Sequence, residues 1–497
     1  MSSGTVELDG TALSVDAVEQ VAHGARISLS PAALAEVTRN RQALESAIEA
    51  GTRIYGVTTG LGAFVSETVE TPDSDVQRSV LRSHSAGVGA LLSEEGVRAA
   101  LVVRLNCLLR GRSGIRTEVL ERIALFVNEG LTPAVPSTGS VGASGDLAPS
   151  AHAFLPLVGE GAFLSGTASD VLRKRGVEPL ELRPKEALAL INGTHFMAGL
   201  GSLSVARAHR LARSADAAAA LTIEALRGAP GAFDDRIHEL RPLEGQRASA
   251  ATIRALLAGS ERVGSAGRVQ DAYSIRCAPQ VHGAFREALS FATALVAVDL
   301  NAVTDNPIVF SDPLEAVSAG NFHGQSLALA FDVLRIALAD LASISERRTF
   351  RIVSPSLNGD LPPFLTREPG RQSGYMLAQI TAAALLAELR ALAHPVSTDN
   401  VPTSDNQEDH VSMGMTGALL TLESVRRAET IVAIELLCAA QGIELTEGEP
   451  GPRTARIAAA VRERVPLLTE DRPPGPDIEA VLELVASPEL ARIVEEG

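Results

Sequence analysis

"GSVGASGDLAP", Gly139 to Pro149, sets three glycines at intervals of three around an Ala-Ser-Gly triplet and follows them with an aspartate. Glycine admits backbone conformations and close approaches that other residues resist, so the run is organised around its own main chain. It is not a phosphate-binding loop, because the lysine of G-x-x-x-x-G-K-[ST] is absent. Nor is it a nucleophile elbow, which needs G-x-S-x-G where this chain has Gly142-Ala143-Ser144-Gly145-Asp146. Taken alone, the triplet reads as a turn with Asp146 capping the helix that follows.

Outward from this run the chain reads as mainly helical. In "SEEGVRAALVVRLNCLLRG", Ser93 is an N-cap followed by two acids. Val97, Leu101, Leu105 and Leu108 mark one face, and Gly111 stops the helix. A second helix is expected over Thr117–Asn128. Beyond residue 200 come long alanine-rich candidates: Ser202–Arg227, His282–Val303, Gln325–Arg348, Tyr375–Ala393 and Val411–Gln441. Alanine favours helix and lets helices approach closely, which suits a large bundle. Strand signals are short, as in "VELDG", and "EGEPGPR" and "EDRPPGPD" mark a turn-rich, peripheral C-terminal region.

Composition narrows the function classes. With 497 residues and 45% hydrophobic content the chain can bury a deep core, while 3% aromatics and no tryptophan leave small aliphatics to fill it. A formal charge of -16 argues against nucleic acid or an anionic membrane as partner. Three widely spaced cysteines suit a reducing compartment. "MSSGTVELDG" has no basic n-region or apolar h-region, and no run of about eighteen uncharged apolar residues occurs, so a cytoplasmic location is expected.

In its longer context, "GSVGASGDLAP" resembles the signature of the aromatic amino acid ammonia-lyases, specifically their histidine-directed branch. The resemblance implies that the Gly145 amide nitrogen attacks the Ala143 carbonyl, and that water loss, including the Ser144 hydroxyl, leaves a methylidene-imidazolone (MIO). Glycine offers an unhindered nitrogen, alanine an accessible carbonyl and serine a leaving hydroxyl; the product is an electrophile that no unmodified side chain supplies. "YGVTTGLG" resembles the family's tyrosine loop and makes Tyr55 the base that removes the substrate β-proton. A free phenol ionises near ~10, so that role implies local dipoles or cations.

"VQDAYSIRCAPQVHGA" resembles a further block and carries family roles onto Gln270, Tyr273 and Arg276. The planar fork of Arg276 matches an α-carboxylate. "INGTHFM" places Asn192 near the prosthetic group, and "TDNP" and "GNFHG" supply Asn306 and Phe322. Ser83-His84 in "LRSHSAGVG" resembles the histidine-directed selectivity position. In "PTSDNQEDHVSMG", Glu408 is set to meet a substrate imidazole, and an apolar phenyl ring would leave that carboxylate unpaired at a cost of roughly 1 to 3 kcal/mol.

The resemblance runs from "VEQVAHGARISLSPAALAEV" to "NQEDHVSMG". It implies a mainly α, aspartase/fumarase-like fold, with residues 1–198 as the N-terminal active-site region and 199–497 as central bundle and peripheral helices. It also implies a homotetramer with shared sites, and conversion of L-histidine to trans-urocanate and ammonia. The alternatives are a tyrosine or phenylalanine ammonia-lyase, a tyrosine 2,3-aminomutase, since "RSHSAGVG" resembles those too, and more remotely a non-catalytic helical scaffold. Departures from the usual pattern include Leu61, Ser150 and Gln325. No metal is expected, because the histidines show no ligand spacing. No pyridoxal cofactor is expected either, because Lys174 and Lys185, the sole lysines, sit in polar contexts read as surface.

Overall fold

The computed structural model describes residues 4–69 and 73–496, so the start of "MSSGTVELDG" lies outside the described residues. By contact density the chain divides into two compact units, one of residues 1–206, 292–331 and 395–419, the other of residues 207–291, 332–394 and 420–497.

The first unit is built around helix Glu94–Leu109. Ser93 caps it as the sequence predicts, accepting from the Gly96 N–H at 3.2 Å. One apolar face was expected, yet every residue from Gly96 to Leu109 is buried, because neighbours cover the helix on all sides. That burial forces its polar residues to find internal partners. Arg98 donates to the carbonyls of Val21 and Val127 at 2.9 and 2.8 Å, in the last turns of helices Val15–Ala22 and Thr117–Asn128. One guanidinium thus satisfies two helix C-termini. Gly199 lets a second helix lie almost against this one, since a Cβ there would come 2.7 Å from the Ala100 nitrogen.

That second helix, His195–Ala225, begins seven residues earlier than the alanine pattern suggests. Its first turn is capped from far along the chain: Asp146 Oδ2 accepts from the N–H groups of Phe196 and Met197, both at 3.0 Å. Burial pushes the Asp146 carboxyl up to about 7 against the pull of those two N–H groups, and neighbouring Asp299 also stands at about 7 through burial.

The other long helices, Ala278–Asp299, Gln325–Val353, Met376–Leu392 and Gly414–Leu445, match the expected set within a few residues at each end. In the second unit, the stretch Ile431–Ala440 of helix Gly414–Leu445 is buried throughout, Glu435 included. Helix Ala278–Asp299 is by length and composition apolar enough to cross a membrane, though Arg286 and Glu287 keep it from being an uncharged run. Arg286 donates to Asp216 inside the unit. At the C-terminus the prolines start helices Pro452–Arg462, Pro474–Ala486 and Pro488–Glu495, where a missing N–H is harmless. Among the described residues the strands form four two-stranded sheets. "VELDG" contributes Thr5–Leu8, parallel to Arg26–Leu29, and Ile308–Ser311 pairs antiparallel with Leu314–Val317.

Lys185 corrects the sequence reading. Lys174 is exposed as expected, but Lys185 is fully buried, its Nζ 3.1 and 2.9 Å from the two carboxylate oxygens of equally buried Asp305. The polar flanks of "RPKEA" gave no sign of this partner, which is 120 residues away. Lys185 takes a left-handed conformation at the start of helix Glu186–Ile191, which delivers Asn192, while Asp305 accepts from the Asn306 N–H at 2.7 Å. The ion pair therefore fixes two candidate site residues at once.

Replacing Lys185 by Met strands the Asp305 carboxylate in the interior, and we expect a loss of ~3–5 kcal/mol in urea unfolding. Lys185→Met with Asp305→Leu is expected to recover most of it; a double variant no better than the single would refute the pairing as the cause. For Asp146 the sign follows from its raised folded pKa of about 7 against an ordinary 3.8. The folded chain retains a proton that the unfolded chain has released, so this group's contribution falls as pH rises from about 4 to 7. Wild type should lose stability relative to Asp146→Asn over that window, with a slope of at most about 1.4 kcal/mol per pH unit.

Candidate active site

The first unit encloses a cavity of about 1450 Å³. Tyr55, His84, Ser144, Asn192, Asn306, Phe322 and Glu408 all line it, although they are scattered over more than 350 positions of sequence.

The opening run is shaped as its composition requires. Gly139, Gly142 and Gly145 all have positive φ, at +150°, +70° and +76°. Gly145 pairs with Gly193 in an isolated parallel bridge, the Asp146 N–H donates to the Gly193 carbonyl at 2.7 Å, and the Gly193 N–H donates to the Ser144 carbonyl at 3.3 Å. A Cβ at position 145 would lie 2.1 Å from the Gly193 oxygen, so only glycine fits. Two segments are pressed main chain to main chain, and Gly145 is buried while Ala143 and Ser144 are partly exposed, Ser144 at the cavity wall.

These residues fit a cyclised triplet. The position whose nitrogen must attack bears no side chain and already has the turned conformation, and the Ser144 hydroxyl stands at the cavity wall. Beside it the side-chain oxygen of Asn192 is buried without a hydrogen-bond partner, while its Nδ2 donates to the Asn306 carbonyl at 3.1 Å. An unpartnered buried acceptor lining a cavity is placed for a group the uncyclised chain does not contain.

Glu408 faces the triplet directly. Its Oε1 accepts from Ser144 Oγ at 3.0 Å and its Oε2 from Thr403 Oγ1 at 2.7 Å. Thr403 went unassigned in the sequence. The clue was present in "PTSDNQE", where Ser404, Asp405 and Asn406 all take positive φ and fold Thr403 back onto Glu408 as an antiparallel bridge. His84, also in the cavity lining, donates from Nδ1 to the Val80 carbonyl at 2.8 Å, so that in the neutral ring Nε2 is an acceptor. Tyr55 lies on a loop held by Gly56 and Gly62 at positive φ, and its hydroxyl oxygen accepts the Gly62 N–H at 2.9 Å.

Gln270, Tyr273 and Arg276 are not among the residues lining the cavity and belong to the second unit. Tyr273 is 70% exposed and the Arg276 guanidinium stacks 4.7 Å from its ring centroid. Of the departures from the usual pattern, Leu61 lines the cavity; Ser150 is instead buried against His195 Nε2 at 2.8 Å. Among the described residues no group of three or more His, Cys, Asp and Glu side chains is arranged to hold a metal.

Histidine ammonia-lyase of Anaeromyxobacter sp. (strain K) is 48% identical over 500 residues, covering 97% of this chain and 98% of its own. The crystal structure of histidine ammonia-lyase from Trypanosoma cruzi superposes with a TM-score of 0.92 at 40% identity, over 99% of this chain and 95% of that one. Tyrosine aminomutase from Streptomyces globisporus gives 0.94 at 39% identity, over 99% of both chains. The model of the aromatic amino acid lyase family matches residues 13–463, and this chain belongs to that family.

Proposed function

We propose that the chain catalyses the non-oxidative deamination of L-histidine to trans-urocanate and ammonia. The observation that carries this reading is Glu408, a carboxylate held by Thr403 within hydrogen-bond distance of Ser144 in the cavity wall. Enzymes of this family use the MIO group, formed autocatalytically without metal or pyridoxal. Formed here from Ala143, Ser144 and Gly145, it supplies an electrophile that activates the substrate amine as a leaving group.

The remaining work falls to side chains. Glu408 and His84 Nε2 are both acceptors, which suits a ring that presents N–H groups and leaves a phenyl ring with nothing to offer them. Tyr55 takes the β-proton as ammonia leaves. Asn192 and Asn306 hold the polar end of the substrate close to the triplet, and Phe322 packs against its apolar part.

Arg276 binds the α-carboxylate, with Gln270 and Tyr273 beside it. Because these three do not line this chain's own cavity, they serve the cavity of another copy, in a cytoplasmic homotetramer with shared sites. Exposed apolar side chains support such an assembly: Val269 and Tyr273 near the anchor, and Val298, Ile336 and Ile380 on the long helices.

Near-ultraviolet absorbance with L-histidine, L-tyrosine or L-phenylalanine, against Ser144→Ala, tests the assignment. Urocanate is expected from histidine alone and not from Ser144→Ala. Cinnamate-type products, or a β-amino acid, would replace this reading with the lyase or aminomutase alternatives. Glu408→Gln should lower kcat/KM for histidine ~10–100-fold, the worth of one charge-assisted hydrogen bond. Tyr55→Phe should lower kcat by ~10²–10⁴ with little change in KM. Site sharing is tested by co-refolding Tyr55→Phe with Arg276→Ala: both inactive alone, they should regain partial activity in mixed tetramers, and no recovery would argue that each site is complete within one copy.

A further inference from the structure

The second unit carries a buried ionic network that the reaction does not use directly, and it ends on the turn bearing Tyr273 and Arg276. At its centre is Arg348, fully buried, whose Nε and Nη2 donate to Glu435 at 2.5 and 2.8 Å. Glu435 is held in turn by Ser345 Oγ at 2.6 Å and Thr222 Oγ1 at 2.9 Å, so its carboxylate is saturated. The third guanidinium nitrogen, Nη1, lies 3.2 Å from His282 Nε2 and 3.4 Å from the Ser274 carbonyl oxygen.

A guanidinium only donates, so His282 Nε2 is an acceptor and its proton sits on Nδ1, which donates to Asp216 Oδ1 at 2.7 Å. Asp216 also accepts from Ser249 and Arg286, each at 2.6 Å. Burial holds His282 below its ordinary pKa, with Arg348 adding to the shift and Asp216 opposing it, in keeping with a neutral imidazole.

Ser274 lies between Tyr273 and Arg276 in a four-residue helix, too short to hold its own geometry. Tyr273 is exposed, so packing does not fix it. Ile275 is buried and packs the turn inward, and the polar group that meets its backbone from inside is the Arg348 fork, anchored by Glu435 and aimed by His282. We propose that Arg348 and His282 are positioning residues for substrate-carboxylate recognition, orienting the Tyr273–Arg276 turn through the Ser274 carbonyl. The inference rests on the reading of Arg276 as the carboxylate anchor.

Three variants separate the links. Arg348→Lys keeps a charge opposite Glu435 but cannot serve Glu435, His282 and Ser274 together. His282→Asn keeps a donor toward Asp216 and removes the acceptor facing Arg348, whereas His282→Gln reaches far enough to restore it. Amide hydrogen exchange of the full-length protein is read over residues 270–278 at pH 7. Steady-state kinetics with L-histidine, and inhibition by histamine, which lacks the carboxylate, complete the readout.

Arg348→Lys and His282→Asn should accelerate exchange in residues 273–277 roughly tenfold, the scale of one hydrogen bond. KM for histidine should rise by a similar factor, while kcat and the histamine inhibition constant stay within threefold; His282→Gln should return both toward wild type. Unchanged exchange in this segment, or equal acceleration in every peptide, would overturn the proposal, as would His282→Gln behaving like His282→Asn. Should Arg348→Lys destabilise the whole protein, the His282 pair decides alone, since it leaves Arg348 and Glu435 in place. If wild type does not turn over histidine, the substrate reading fails while the exchange result still tests the positioning role.

Discussion

Asp146 joins the two pieces of chain on which the site depends. Its N–H is spent on the Gly193 carbonyl, and its carboxylate on the first turn of helix His195–Ala225. The residue immediately after the Ala-Ser-Gly triplet is thereby bolted to the start of a 31-residue helix. A carboxylate at that end is favoured by the helix dipole as well as by the two donors, which offsets part of its desolvation. Because Gly145 is then forced against Gly193, the triplet is bent before any chemistry begins. Compression of this kind, imposed by tertiary contacts on residues without side chains, is what an intramolecular attack of nitrogen on carbonyl needs.

The same logic recurs in the buried ion pairs. Lys185 with Asp305 gives little net stability compared with an apolar pair of equal volume, yet it determines where Asn192 and Asn306 stand. Arg348 with Glu435 does likewise for the Tyr273–Arg276 turn. In both cases a charge that only its partner can satisfy admits one arrangement of distant segments, which hydrophobic packing by small aliphatics would leave loosely specified. A chain poor in aromatic residues has few large rings with which to fix geometry, and these ionic contacts take on part of that task.

Local chemistry made much of the fold legible. Ser93 announces its helix because an N-cap and its acids are neighbours in sequence, and the alanine-rich helices declare themselves by composition over long stretches. What escaped was set by partners far along the chain, as in the early start of helix His195–Ala225, capped from Asp146, and the burial of Lys185, or by local backbone geometry, as in the hold of Thr403 on Glu408. The positive φ values at Gly139, Gly142 and Gly145 were foreshadowed by glycine alone, but that Gly193 is what they meet was not. The cavity residues Tyr55, His84, Asn192, Asn306, Phe322 and Glu408 were reached through family motifs, since no spacing rule connects them.

Selectivity in such a cavity is decided by which polar groups a wrong substrate leaves unpaired. In the uncyclised chain Glu408 is held at both oxygens, by Ser144 and Thr403, and His84 Nδ1 is held by the Val80 carbonyl. Cyclisation removes the Ser144 hydroxyl, so Glu408 Oε1 loses the donor it has in the uncyclised chain. The step that creates the electrophile therefore also frees a carboxylate acceptor at the cavity wall. An imidazole N–H can replace the lost serine proton. A phenyl ring cannot, and a phenol can do so only if its hydroxyl reaches the same oxygen, so the placement of Glu408 within hydrogen-bond distance of the triplet favours a ring whose donor lies close to the reacting carbons.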